Sequence, residues 1–163
     1  MFVQSNATKL VSAYDKYRAL LTSGDLETRA IDAIVRSRDL LVSAGSVDGC
    51  VGCVESIRKV YRLGEPEGAV LGHTLAAIFA AWGPSSDAYR SSIVRGVGLF
   101  FHEHRDTDPE TLASALVKGP GAPINLIGWA KTVAGTQRMP MDQAIAQVIE
   151  NRVMKRRTGL RSA

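Results

Sequence analysis

Cysteine is scarce in this 163-residue chain, which holds only Cys50 and Cys53, and histidine is nearly as rare, with three. A disulfide scaffold is thereby excluded, because such frameworks need several pairs to replace a core. Cys50-Val-Gly-Cys53 has the spacing of redox motifs and zinc ligands. A redox reading needs a βαβ setting that this chain does not offer, and a zinc site needs two more ligands with no second CxxC to supply them. The pair therefore reads as small, apolar packing residues near a helix start. Long uncharged apolar runs are also missing, so no segment reaches the roughly 20 residues of a membrane span. The N-terminus lacks a basic segment followed by an apolar stretch, and a cytoplasmic protein is expected. There is no Gly-rich turn leading into Lys-Ser or Lys-Thr and no nucleophile elbow, which removes the common phosphate-loop and serine-hydrolase signatures. No catalytic constellation, no metal site and no cofactor is expected, and the chain does not read as an enzyme.

What is present is enough to build a core. Apolar residues make up 45% and charged residues 22% of the chain, close to the globular average and far from the composition of disorder. A chain of this length buries roughly two thirds of its unfolded surface, so it needs neither disulfide nor metal to fold.

Helical periodicities follow one another, punctuated by Gly, Pro, Ser and Asp. Leu10, Tyr14, Tyr17 and Leu21 recur at spacings of three and four and predict a helix over 7–22. Gly24 ends it, and Asp25 caps a second over 26–41 with Leu26, Ala30, Ile34 and Val35 facing inward. Turn residues between Val42 and Val51 predict at most a small β-hairpin. Further helices are expected over 52–63, over 70–82 with Leu71, Leu75, Ile78, Phe79 and Trp82, and from Ser86 or Asp87 to about His104. Gly96 and Gly98 inside the last of these cost about 1 kcal/mol each relative to Ala, which close packing against another helix would offset. Asp108-Pro109 opens a short helix to Val117. Gly119-Pro-Gly-Ala-Pro123 then separates a main body, 1–118, from a terminal pair and basic tail, 124–163, packed on the same domain. The pair comprises helices over 124–137 and 141–156. The fold class is all-α, a compact domain of about seven or eight helices.

The net charge of +4 is unevenly placed. Residues 1–137 carry as many acidic as basic side chains, whereas the last 26 residues hold Arg138, Arg152, Lys155, Arg156, Arg157 and Arg161 against Asp142 and Glu150. A local basic cluster attracts phosphate backbones, although a short basic tail also serves to keep a terminus solvated. The terminal pair has some helix-turn-helix character. Its second helix carries Gln143, Gln147, Asn151, Arg152 and Lys155, types that contact bases or phosphates, and the alternative is an ordinary helical hairpin with a polar face. If that helix continues to about Arg157, Arg152, Lys155 and Arg156 share one face.

The remaining polar and aromatic candidates read as structural. His102 and His104 flank Glu103, but alternate residues on a helix diverge, and histidines near a helix C-terminus are favoured by its dipole. His73 stands alone between small residues. Trp82, Trp129, Phe100 and Phe101 have helical spacing and are expected in the core rather than on a base-stacking platform.

Three stretches carry a family resemblance. Tyr14-Asp15-Lys16-Tyr17-Arg18-Ala19-Leu20-Leu21 with Ser23-Gly24-Asp25 and Ala30-Ile31-Asp32 is similar to the start of the helical region that follows the ParB-like domain in actinobacterial and phage ParB-like proteins. Ala81-Trp82-Gly83, Asp87-Ala88-Tyr89-Arg90 and Ile93-Val94-Arg95-Gly96-Val97-Gly98-Leu99-Phe100 resemble the same region, and Asn151-Arg152-Val153-Met154-Lys155-Arg156-Arg157 resembles its basic ending. The resemblance covers nearly the whole chain and only the helical half of those longer proteins. It implies a phage or mobile-element setting, hence a host cytoplasm, and a link to DNA without enzymatic activity. The expected function is a non-catalytic DNA-associated helical module. The alternative is a protein-interaction or oligomerisation module that binds a host protein or a second copy of the chain. No membrane partner is expected.

Overall fold

Ser12 opens the first helix. Its Oγ accepts from the Asp15 amide at 3.1 Å, satisfying an amide that has no partner inside the helix. The computed structural model describes residues 10–155, and this helix, α1, runs Ala13–Ser23. It begins later than the periodicity suggested. Leu10 precedes it at 98% exposure, so the buried face is Tyr17, flanked by Tyr14 and Leu21. Gly24 takes a left-handed φ of 87° and closes α1. Asp25 then accepts from the Thr28 amide at 2.9 Å and starts α2, Leu26–Arg36. This helix ends five residues before the expected boundary, and its inward stripe is Thr28, Ile31 and Val35, with Leu26 largely exposed. Tyr17 donates from its hydroxyl to Asp32 at 2.8 Å, joining α1 to α2.

Two short strands follow, β1 at Leu41–Val42 and β2 at Cys50–Val51. They pair in parallel, Leu41 with Cys50 and Val42 with Val51, so the segment is a wide loop and not the expected hairpin. The turn residues between them are spent on long-range contacts. The Gly49 amide donates to the Pro84 carbonyl at 2.8 Å, and the Asp48 carboxylate accepts from the Ser86 amide at 2.8 Å.

Six further helices complete the described residues: α3 Val54–Tyr61, α4 Ala69–Trp82, α5 Ser91–Glu103, α6 Pro109–Lys118, α7 Pro123–Gln137 and α8 Met141–Val148. The all-α fold expected from the periodicities is observed, with eight α-helices among the described residues. Apolar side chains surround much of α4, and it contacts α3, α5 and α6. The segment expected to start α5 is instead a separate 3-10 turn, Ser86–Tyr89, because Arg90 adopts an extended conformation between them. Burial of Ala88 and Tyr89 holds that turn in place.

The glycines inside α5 allow close helix approach. A Cβ on Gly96 would overlap the Ile145 side chain of α8, and one on Gly98 would lie 2.8 Å from Cγ2 of Val60 on α3. Arg95 and Asp142 reinforce the first contact with an ion pair of 2.8 Å. Asp108 caps α6 by accepting from the Thr111 amide at 3.2 Å. The Gly-Pro segment after α6 is a pinned corner: the Trp82 indole donates to the Gly121 carbonyl at 2.9 Å, and the Asn125 side-chain Nδ2 to the Pro120 carbonyl at 2.8 Å. The core centres on Phe100, Phe101, Leu75, Ile78, Leu116, Leu126 and Ile145, all at most 1% exposed. Each contributes on the order of 2 kcal/mol through burial.

Candidate nucleic-acid interface

Arg138 terminates α7 in a left-handed conformation, φ 53° and ψ 53°, with its amide donating to the Ala134 carbonyl. Met139 and Pro140 complete the turn, and Pro140 fixes the entry into α8. One face of α8 is consumed by packing: Ala144, Ile145 and Val148 are buried between α5 and α7. Its polar side retains Gln143, with Asn151 exposed just beyond its end, while Gln147 donates to Gln137 at 3.0 Å and is held against the end of α7. A helix sandwiched in this way has only a narrow strip with which to enter a groove.

The expected end of the last helix is not observed. Regular α-structure stops at Val148, a π turn spans Ile149–Val153, and Lys155 takes a left-handed φ of 51°. Arg152 and Lys155 therefore do not share the helical face inferred from their spacing. Ile149 and Val153 both stay buried through the turn. Arg152 folds back instead, with its guanidinium 3.4 Å from the centre of the Trp129 ring. Lys155 is exposed beyond it. Arg156, Arg157 and Arg161 lie outside the described residues.

The electrostatics sharpen the charge asymmetry. Of the 20 Lys and Arg residues, Lys9, Arg156, Arg157 and Arg161 fall outside 10–155, which leaves 16 against the chain's 16 Asp and Glu, all of them inside. The described body is thus formally neutral. Several of its cations are also internally matched: Arg58 and Arg62 on Glu27, Arg36 on Asp32 and Arg95 on Asp142. Among the described residues Arg138 and Lys155 form no ion pair.

The other residues singled out by sequence are dispersed. Cys53 donates from Sγ to the Tyr89 carbonyl at 3.3 Å, and burial pushes its thiol up to about 12. Such a group is a packing residue at the start of α3 and not a nucleophile. His73 meets the Phe101 ring edge-on at 5.6 Å. Phe100 and Phe101 are core residues, while Trp82 and Trp129 are half-buried. His102 and His104 diverge as the spacing implied: His102 lies beside Arg105, and His104 points to Glu150 of the π turn.

No known protein family, curated protein or solved structure matches this chain.

Sequence reasoning missed two partnerships in this region. Trp129 as the platform for Arg152 was not anticipated, although aromatic and cation face each other across the two terminal helices. The approach of Glu103, His104 and Glu150, whose ligand atoms lie within 4.8 Å of one another, was missed as well. The available signal was the weak helix ending at His104-Arg-Asp-Thr-Asp-Pro, which frees His104 from the helical fan.

Proposed function

We propose that this protein is a non-catalytic helical module that associates with DNA through its basic C-terminal end. One observation carries the reading. The described body is charge-balanced and partly self-paired, so the net attraction for a polyanion resides in Arg138, Arg152, Lys155 and the adjoining Arg156, Arg157 and Arg161. Trp129 supports it further by holding Arg152 in one orientation, which lowers the entropy lost on contact. The resemblance to the helical region of ParB-like proteins points to the same partner and to a phage or mobile-element setting. Carboxylates at Glu103 and Glu150 beside the amide strip of α8 argue against deep groove insertion, so phosphate contact is the dominant mode.

Phosphate-dominated binding has a thermodynamic signature. Each cation released from the DNA contributes roughly 0.9 to the slope of log K against log salt. Titrating two unrelated duplexes and a single strand across salt should give similar affinities for the duplexes and a steep slope. Replacing Arg152, Lys155, Arg156 and Arg157 by Ala should weaken binding to both duplexes alike and flatten that slope by roughly 3 to 4. A wild-type protein that shows no salt-dependent binding at low ionic strength, or a quadruple variant that binds equally well, removes this reading.

A second reading, an interaction or oligomerisation module, draws on the exposed apolar side chains of Leu10, Val11 and Leu26. Solution mass measured beside the titration distinguishes a self-associating chain from a monomer that binds DNA.

A further inference from the structure

We infer that Glu103, His104 and Glu150 form a binding site for a divalent transition-metal ion that clamps the end of α8 to the end of α5. The three residues come from two places distant in sequence. Glu103 is the last residue of α5, and His104 follows it as the cap with φ −124° and ψ 64°. That departure from helical geometry lets two adjacent side chains converge, which successive residues on a regular helix do not do. Glu150 belongs to the π turn after α8, an element type often found where a helix presents a functional group. One ligand atom from each residue lies within 4.8 Å of the other two.

Two further observations point to a cation. His104 Nε2 is buried and has no hydrogen-bond partner, an uncommon state for an imidazole nitrogen. Its nearest counterpart, Glu150 Oε1, is 3.6 Å away, too far for a hydrogen bond. Two ligands bound tetrahedrally at about 2.0–2.1 Å stand roughly 3.4 Å apart, so this separation matches the edge of a coordination polyhedron. Second, among the described residues neither Glu103 nor Glu150 has a Lys or Arg ion pair, although the two carboxylates converge. A divalent ion relieves that repulsion and satisfies the nitrogen at once.

The donor set selects the ion. One imidazole nitrogen with two carboxylates suits zinc, manganese, iron(II) or cobalt, whereas calcium and magnesium prefer oxygen alone. Three protein ligands leave further positions to water on the exposed Glu103 side. The Phe100 ring, 4.7 Å from the His104 ring between centroids, holds the imidazole in place. The site lies within five residues of Lys155, so an ion there would fix the point from which the basic end departs.

Zinc and cobalt are the probes, used on the full chain after chelator treatment. Calorimetric titration should give one zinc per chain, a raised thermal midpoint, and a cobalt spectrum without the thiolate charge-transfer band that cysteine ligation produces. His104→Ala and Glu150→Gln should each weaken binding by at least about tenfold and abolish the thermal shift, while His102→Ala should match wild type. Glu103 is exposed, so Glu103→Gln keeps the fold and decides the matter if the variants at the half-buried His104 and Glu150 are unstable. Absence of stoichiometric binding, retention of affinity in Glu103→Gln and Glu150→Gln, or loss of binding in Cys50→Ser and Cys53→Ser instead would overturn the assignment.

Discussion

The Arg152 guanidinium lies 3.4 Å from the centre of the Trp129 ring, joining the π turn after α8 to the middle of α7. Stacked cations of this kind contribute about 0.5–2 kcal/mol, depending on how dry the contact is. Trp129→Leu should therefore lower the thermal midpoint by a few degrees. Arg152→Lys should lose part of the contact as well, because an ammonium lacks the planar stacking surface. A double-mutant cycle over the two positions should return a coupling of at least about 0.5 kcal/mol, and additive single effects would show that the stack contributes nothing.

Glycines in two helices should respond in opposite directions to the same substitution. Gly96→Ala places a methyl into Ile145, and overpacking of this kind costs about 1–3 kcal/mol, more than the helix propensity it gains. Gly128 lies within α7 with nothing within 4 Å of an added Cβ, so Gly128→Ala should stabilise by about 0.5–1 kcal/mol. Denaturant midpoints read both. Ile145→Val in the Gly96→Ala background should restore nothing, because valine keeps the Cβ and Cγ2 that the added methyl meets.

Acid should loosen the contact between α2 and α3. Glu27 accepts from Arg58 at 2.9 Å and from Arg62 at 2.7 Å, and the Arg62 hydrogen bond above all holds its carboxyl below the ordinary 4.5. A carboxyl lowered by folding stabilises fully above its unfolded value and loses that contribution as pH falls through the folded one. Stability measured against pH should thus decline below about 4.5, and Glu27→Gln should flatten that part of the curve. At neutral pH Glu27→Ala should cost about 1–2 kcal/mol, because Arg58 is left at 12% exposure without its partner.

Cys53 should be inert in the native state. Its thiol, pushed up to about 12 by burial and donating to the Tyr89 carbonyl, holds almost no thiolate at pH 8. Alkylation followed by peptide mass analysis should leave Cys53 unmodified in native protein and modified in denaturant. Rapid native labelling would contradict the packing role.

Local rules located most helices because their causes are local. Asp25 and Asp108 cap where the sequence placed them, and Gly24 stops α1 through its left-handed backbone. Errors arose where a distant partner intervened. Asp48 and Gly49 looked like hairpin residues, yet they bond to Ser86 and Pro84, so the strands pair in parallel. Arg152 and Lys155 looked like neighbours on a continuous helix, yet Arg152 stacks on Trp129 from the π turn while Lys155 leaves helical geometry with a left-handed φ.

The sequence by itself determined the all-helical class, the order of the helices and the confinement of the net charge to the last 26 residues, since periodicity, capping and charge are properties of short stretches. Only the tertiary structure decided that α8 is sandwiched between α5 and α7, that Arg152 rests on Trp129, and that Glu103, His104 and Glu150 meet. Those arrangements depend on packing between segments some 20 to 50 residues apart, where a glycine such as Gly96 sets how closely two helices approach, and no local pattern carries that distance.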